Sequence, residues 1–198
     1  MALLDTATIK IVLASNSPRR IELLKKVVTH FEVLASDIDE EMPIPVSPAD
    51  YVVELSKRKA EAICPKIDAG LIIGADSIVV IDKQILGKPK NQQHSFDMLN
   101  LLSGKKHQVI TGFAVIKMPE KNIITDFEIT DVKFRIITSA EIEKYIDFNK
   151  PFDKAGSYGI QDDAAVFVES LSGCFYNVVG LPIAKLYLVL QKMLNGAV

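Results

Sequence analysis

The sequence predicts an α/β fold in which a mixed sheet with antiparallel hairpins is flanked by helices. Short apolar runs rich in β-branched residues alternate with segments of helical periodicity. Two long β-rich runs, 107–118 and 122–138, follow each other around Pro119, which indicates a hairpin. The length of 198 residues and the hydrophobic content of 48% suit one core, so residues 1–198 are interpreted as a single domain.

The segments before residue 64 alternate between strand, helix and loop. The run IKIVLA has the length and apolar character of a buried strand, and apolar residues at helical spacing follow it. Ser17 offers an N-cap oxygen, and Pro18 stands at the first helical position, where its missing N–H costs nothing. Ser47–Asp50 resembles a capping box. The predicted elements are a strand at 9–14, a helix from 18 to about 28, a strand at 31–35, an acidic loop at 36–48 and a helix from 48 to about 63.

The segments after residue 64 continue this alternation around the central hairpin. Residues 70–82 form an apolar run that predicts one buried strand, or two strands with a break at 74–76. Thr138 and Glu141 make a further capping box, and Pro182 opens the last helix. The remaining predictions are a helix at 91–102, a helix from 138 to about 148, a polar loop at 151–163, a strand at 165–171 and a helix from 182 to about 194.

Composition and charge narrow the class of protein. The net charge of −2 argues against non-specific nucleic-acid binding, which needs a broad basic surface. Cys64 and Cys174 lie far apart, with no C-x-x-C and no histidine pair at metal-ligand spacing, so a reducing cytosol fits best. The N-terminus lacks a signal-peptide core, and no apolar run reaches the length of a membrane span. A cytoplasmic protein without nucleic-acid or membrane partners is expected.

The stretch LASNSPRRIELLKK, residues 13–26, places Arg19 and Arg20 in the first turn of a predicted helix. The N-terminus of a helix carries unpaired N–H groups and a partial positive charge, so two arginines there favour a bound anion. A strand, a short polar loop and a helix start also form the geometry that binds phosphate. An exposed basic helix start paired with nearby acids explains the same residues equally well. No G-x-x-x-x-G-K-[ST] motif is present, which excludes a P-loop kinase or ATPase.

Asp76 follows an apolar run and comes directly after Gly74 and Ala75, two small residues that leave room for a ligand. A carboxylate in such a position is costly unless it is solvated in a cleft, paired, or bound to a metal. The alternative is a turn aspartate that accepts a hydrogen bond from its own backbone. The small residues before it and Ser77 after it favour the functional interpretation.

Four further polar residues are candidates whose ordinary interpretation is a solvated side chain. Lys59 lies on a predicted helix, and Lys88 stands in a rigid turn before Pro89. Gln161 lies in the polar loop, where its amide could recognise the edge of a base, and Glu40 could bind a metal ion. Each of them taken alone is more often a surface residue. The sequence contains no Ser/His/Asp or Cys/His arrangement that indicates nucleophilic catalysis.

Taken together, the motifs LASNSPRRIELL, KRKAEA, GADSIVV, LGKPK, LSGKKHQVITG, FDKAGSYGIQ and GCFYNVVGLP resemble the Maf family in order and spacing. These proteins are house-cleaning nucleoside triphosphate pyrophosphatases that were first associated with septum formation. The resemblance extends from Ile11 to about Leu190. Within the family, SPRR, GAD and YGIQ are similar to the branch that hydrolyses dTTP and UTP.

The resemblance implies the roles of individual residues, a cofactor and an assembly. It implies that Asp76 is the catalytic residue and proton acceptor, and that Glu40 and Asp76 bind the metal ion. The implied triphosphate contacts are Ser15, Arg20, Lys59 and Lys88. The residues implied to select the base are Arg19, Ser77 and Gln161. The cofactor is a divalent cation, Mg²⁺ or Mn²⁺. The implied fold is related to inosine triphosphate pyrophosphatases, and the implied assembly is a homodimer.

The resemblance also implies the reaction, the hydrolysis of dTTP and UTP, or modified pyrimidine nucleotides, to the monophosphate and pyrophosphate. One alternative is a non-catalytic nucleotide-binding regulator of cell division, and another is a pyrophosphatase for a different base such as 7-methyl-GTP. The chain departs from the family at Ser77, where threonine is commoner. It departs again at Asp162 and Asp163, where the family has a glycine-containing turn. These two carboxylates are expected to alter the loop geometry and the affinity for a triphosphate.

Overall fold

The computed structural model describes residues 4, 6, 9–39 and 47–195. Strands and helices alternate along this part of the chain. The strands are β1 (Ile11–Leu13), β2 (Glu32–Val33), β3 (Gly70–Ile81), β4 (Gln84–Leu86), β5 (Lys106–Met118), β6 (Asn122–Phe134) and β7 (Val168–Ser172). The α-helices are α1 (Pro18–Leu24), α2 (Pro48–Glu61), α3 (Gln92–Leu102), α4 (Ser139–Asn149), α5 (Phe175–Val179) and α6 (Ile183–Leu194). Short 3₁₀ turns lie at Cys64–Lys66, Ala155–Ser157 and Asp163–Phe167.

The strands form one mixed sheet in the order β2-β1-β3-β5-β6-β7, and β4 pairs with β3. The pairs β1–β2 and β1–β3 are parallel, whereas β3–β4 and β6–β7 are antiparallel. Strands β5 and β6 are neighbours joined by only three residues, a connection too short for parallel pairing. The predicted mixed α/β fold with antiparallel hairpins and flanking helices is therefore confirmed.

Helix α2 packs closely against strands β3 and β5 because glycines stand at the contact points. A Cβ atom added at Gly74 would overlap the carbonyl oxygen of Ser56 and lie 2.9 Å from the backbone nitrogen of Ala60. A Cβ atom added at Gly112 would lie 2.6 Å from the carbonyl carbon of Val52. Side chains at these two positions would push α2 away from the sheet. Strand β3 is continuous and almost wholly buried, so the alternative of two strands broken at 74–76 is wrong.

The chain divides into two compact units. Unit 1 comprises Met1–Asp76, Thr111–Glu128 and Gly180–Val198, and unit 2 comprises Ser77–Ile110 and Ile129–Val179. Unit 1 contains an aliphatic core cluster of Val12, Ala14, Ala60, Ile63, Ile67, Ile72, Ala114 and Ile116. Unit 2 contains edge-to-face contacts among His107, Phe134, Tyr145, Tyr158 and Phe167. None of the helices in the described ranges is long and apolar enough to cross a bilayer.

The three predicted helix caps have different outcomes. Thr138 and Glu141 form a complete capping box at the start of α4. The hydroxyl of Ser47 accepts a hydrogen bond from the backbone N–H of Asp50, as predicted. Ser17 is the N-cap residue of α1 and Pro18 opens the helix, as predicted, but the Ser17 side chain makes no cap hydrogen bond. Instead, the backbone N–H of Ser17 donates to Ser15 Oγ over 3.2 Å, and α1 ends at Leu24.

Other differences between the predicted and the observed elements follow from tertiary packing, which the sequence of a single segment does not reveal. The strand predicted at 165–171 begins only at Val168, because Asp163–Phe167 forms a 3₁₀ turn that buries Phe167. Helix α5, Phe175–Val179, was not predicted, since five residues carry too little periodicity. The loop at 151–163 is buried at its centre, at 156–160. Much of the acidic loop predicted at 36–48 lies outside the described residues.

Candidate functional site

The connection from β1 to α1 holds Ser15 and Arg20 together in unit 1. The Nη1 atom of Arg20 donates to Ser15 Oγ over 3.3 Å, and Arg20 Nε donates to the carbonyl oxygen of Gly180 over 3.0 Å. The guanidinium is thus anchored at two points, which limits the side-chain entropy lost when it binds a ligand. Arg19 is half-buried on the same helix. Helix α1 has only seven residues. The case for phosphate binding here therefore rests on the side chains and not on the helix dipole.

Lys59 and Asp76 form a buried ion pair in unit 1. Lys59 Nζ lies 2.6 Å from Asp76 Oδ1, and the two side chains are only 8% and 11% exposed. Lys59 comes from the last turn of α2 and Asp76 from β3, which meet where Gly74 permits close approach. Taking two charges out of water carries a desolvation penalty of several kcal/mol per ion, which good geometry only partly offsets. Buried charges in proteins are paired or coordinate metals, because an isolated buried charge is very costly.

The structure gives Lys59 a contact that sequence reasoning missed. The sequence indicated a triphosphate contact for Lys59 and a catalytic carboxylate at Asp76, but nothing in the sequence paired them. Their separation of seventeen residues matches no helical or strand neighbour relation, so only packing brings them together. One oxygen of Asp76 is held by Lys59, and Oδ2 is the second acceptor of that carboxylate.

Three predicted site residues belong to unit 2. Ser77 is the one half-buried position of the otherwise buried strand β3. Lys88 is exposed in the connection after β4, and the Pro89 that follows it is buried. The carbonyl oxygen of Gly87 accepts a hydrogen bond of 3.0 Å from the backbone N–H of Gly156, which joins the segment of Lys88 to the 151–163 loop.

Gln161 is exposed in the 151–163 loop and contacts Asp162, one of the two aspartates that depart from the family pattern. Gln161 Nε2 donates to Asp162 Oδ1 over 3.0 Å, and Asp162 Oδ2 lies 3.7 Å from Lys154 Nζ. Asp163 Oδ2 accepts a hydrogen bond of 3.1 Å from Asn149 Nδ2. Both carboxylates therefore have partners within unit 2.

Unit 2 also contains a buried polar pair for which the sequence gave no signal. Tyr158 Oη lies 2.8 Å from His107 Nε2, and both residues belong to the group of aromatic ring contacts described above. Burial lowers the pKa of His107 to about 4 and raises the pKa of Tyr158 above its ordinary range. Both groups are consequently neutral near pH 7. The hydroxyls of Ser95 and Ser157 meet in the same unit, again without formal charge.

Of the two predicted metal ligands, the structure describes only Asp76. Glu40 lies outside the described residues. Asp76 is described, and no group of three or more His, Cys, Asp or Glu side chains within the described ranges could hold a metal ion. Mg²⁺ commonly binds through one or two carboxylates, with substrate phosphates and water supplying the other ligands. The second oxygen of Asp76 fits that mode of binding.

Residues 10–193 match the family described as Maf-like protein, so the chain belongs to the Maf family. A dTTP/UTP pyrophosphatase of Clostridium botulinum (strain 657 / Type Ba4) is 47% identical over 187 residues, which are 92% of this chain and 96% of the relative. A dTTP/UTP pyrophosphatase of Carboxydothermus hydrogenoformans is 45% identical over 183 residues, 92% of this chain and 98% of the relative. The Ham1 protein of Staphylococcus aureus shares 17% identity and a TM-score of 0.45, over 63% of this chain and 71% of that one. The predicted family is therefore confirmed.

Proposed function

We propose that this protein is a pyrophosphatase that hydrolyses dTTP and UTP between the α and β phosphates, releasing the monophosphate and pyrophosphate. The observation that carries the proposal is the buried Lys59–Asp76 ion pair, a costly arrangement that a purely structural role does not require. Relatives that are 45–47% identical over 92% of this chain carry the name dTTP/UTP pyrophosphatase. The whole chain is proposed to act as one functional domain, in the cytoplasm and as a homodimer.

In the proposed reaction Asp76 is the general base. Its Oδ2 accepts a proton from the attacking water, while Lys59 holds Oδ1 and so fixes the orientation of the carboxylate. A lysine ammonium has three donors, so Lys59 is able to contact a phosphate oxygen as well. Arg20 and Lys88, with the Ser15 hydroxyl, donate to the triphosphate and offset the negative charge that grows on the departing pyrophosphate.

The proposed cofactor is Mg²⁺ or Mn²⁺, held by Asp76 and, on the family resemblance, by Glu40. A divalent cation of this kind gathers phosphate oxygens and lowers the pKa of a bound water.

Base selection is proposed to depend on Arg19, Ser77 and Gln161. The Gln161 amide accepts from the N3–H of uracil or thymine and donates to a neighbouring carbonyl. Arg19 only donates hydrogen bonds, so near position 4 of the ring it favours a carbonyl and opposes the amino group of cytosine. Sites that leave a polar group unpaired with the wrong ligand discriminate strongly.

A panel of nucleoside triphosphates with added Mg²⁺ tests the proposal through the release of pyrophosphate. UTP and dTTP are expected to be hydrolysed at least about tenfold better than CTP and 7-methyl-GTP, as judged by kcat/KM. Arg19→Ala should narrow the UTP-to-CTP ratio by about tenfold, or about 1.4 kcal/mol. Tight binding of UTP without any pyrophosphate release would instead support a nucleotide-binding regulator. Preferred hydrolysis of 7-methyl-GTP would assign a different base.

A further inference from the structure

The hydrogen bond between Gln161 and Asp162 defines which way the Gln161 amide points. A carboxylate only accepts hydrogen bonds, so the atom that faces Asp162 Oδ1 at 3.0 Å has to be the amide nitrogen. A flipped amide would set its oxygen against the carboxylate oxygen. Asp162 therefore selects one of the two amide orientations, with Gln161 Oε1 on the side away from Asp162.

The Asp162 carboxylate is itself positioned by its surroundings. Its Oδ2 lies 3.7 Å from Lys154 Nζ, and the Lys154 side chain is only 12% exposed and also binds Asp153 Oδ1 at 2.8 Å. The backbone N–H of Asp162 donates to the carbonyl oxygen of Gly159 over 3.0 Å. A Cβ atom added at Gly159 would overlap Asp162 Oδ2 and lie 3.0 Å from Gln161 Nε2. The arrangement thus depends on a glycine at position 159.

We propose that Asp162 is a positioning residue for base selection, acting through the orientation of the Gln161 amide. This inference rests on the proposed function. The oriented amide offers an acceptor, Oε1, and beside it the second hydrogen of Nε2, which matches the N3–H and adjacent carbonyl of uracil and thymine. Cytosine presents an acceptor at N3 and a donor amino group, so it requires the flipped amide. That flip would place the Gln161 oxygen against the Asp162 carboxylate, and CTP is disfavoured for this reason.

The first test compares Asp162→Asn with Asp163→Asn, using kcat/KM for UTP, dTTP and CTP. An asparagine at position 162 both donates and accepts, so it tolerates either amide orientation with little change in volume. We expect Asp162→Asn to lower the UTP-to-CTP ratio by about tenfold, mainly through a lower KM for CTP at little-changed kcat. Asp163→Asn removes the same charge one residue away, where the partner is Asn149, and should leave the ratio within about twofold.

A double-mutant cycle then separates orientation from a general electrostatic effect. If Asp162 acts through Gln161, Asp162→Asn should have no effect on the UTP-to-CTP ratio in a Gln161→Ala background. An unchanged ratio for Asp162→Asn in the otherwise wild-type enzyme would overturn the inference, and so would an equal change in both backgrounds. With active wild-type enzyme, either result leaves the proposed function intact. Wild-type enzyme that releases no pyrophosphate from UTP or dTTP would overturn both.

Discussion

The Lys59–Asp76 pair buried in unit 1 is charged, whereas the His107–Tyr158 pair buried in unit 2 is neutral. Lys59 and Asp76 form an ion pair of 2.6 Å at side-chain exposures of 8% and 11%. His107 and Tyr158 meet at 2.8 Å as uncharged groups, because burial holds the pKa of the histidine near 4. A neutral hydrogen bond stabilises a core at little cost, while a buried ion pair is often no better than apolar residues of similar volume. We therefore propose a chemical role for the Lys59–Asp76 pair and a structural role for the His107–Tyr158 pair.

The surroundings of the two pairs agree with that division. The charged pair lies where glycines bring a helix and a strand into close contact, next to an aliphatic cluster in unit 1. The neutral pair lies among aromatic rings. The His107 ring meets two others edge to face, with centroid separations of 4.8 Å to Phe134 and 5.5 Å to Tyr158. Edge-to-face ring contacts stabilise a core by about 0.5–1.5 kcal/mol each beyond burial alone.

The largest effect is expected in turnover when the charged pair loses its carboxylate. Asp76→Asn should lower pyrophosphate release from UTP by about a hundredfold to ten-thousandfold, because an amide cannot take the proton from water. Steady-state kinetics with circular dichroism as a check of folding would measure this. Asp131→Asn is the matched control, since Asp131 also lies on a strand beside a lysine, Lys106, at 2.7 Å. Near-normal turnover by Asp76→Asn would move the role of general base to Glu40.

The next effect concerns stability when one member of the charged pair is removed. Lys59→Met leaves the Asp76 carboxylate buried without its partner, so the free energy of unfolding should fall by about 3–5 kcal/mol. The double variant Lys59→Met with Asp76→Asn should recover most of this loss and remain inactive. Urea unfolding followed by circular dichroism gives both values.

The control for this stability measurement lies on the same helix. Lys57→Met removes a half-buried lysine, 37% exposed in its side chain, whose Nζ lies 3.8 Å from Glu61 Oε1, and it should change stability by no more than about 0.5 kcal/mol. If the double variant is as unstable as the sum of the two single variants, the two charges are not coupled. The assignment of a functional role to a costly pair would then lose its physical basis.

A smaller effect is expected from the neutral pair on acidification. The folded protein holds His107 at a pKa of about 4, below the ordinary value of 6.5, so the unfolded chain binds more protons between these two values. Stability is therefore complete above about pH 6.5, falls as the pH is lowered, and has lost about 3 kcal/mol by about pH 4.

Denaturant midpoints measured from pH 7 to pH 4 would follow this loss, and a variant without the imidazole should not show it. His107→Gln keeps a polar partner for Tyr158 and should flatten the pH dependence over this range. His30→Gln removes an exposed histidine and serves as the control. An unchanged pH profile in His107→Gln would show that the neutral pair does not account for the acid sensitivity.

Much of the fold was predictable because its signals are local. The Thr138–Glu141 capping box and the apolar run of β3 each depend on neighbours within a few residues, and both predictions are confirmed. Ser17 occupies the N-cap position as predicted, but its side chain makes no cap hydrogen bond, a detail that residue preference does not reveal. The strand predicted from residue 165 failed because tertiary burial of Phe167 favours a 3₁₀ turn.

By itself, the sequence determined the membership of the Maf family, the order of most elements and the residue types available for chemistry. These properties lie in linked motifs and short-range periodicity, which survive without knowledge of packing. Only the tertiary structure decided that Lys59 meets Asp76, that Arg20 is held by Ser15 and Gly180, and that the amide of Gln161 faces Asp162. Such contacts depend on how closely backbones approach and on which single partner a donor reaches, and both are set by packing across the whole fold.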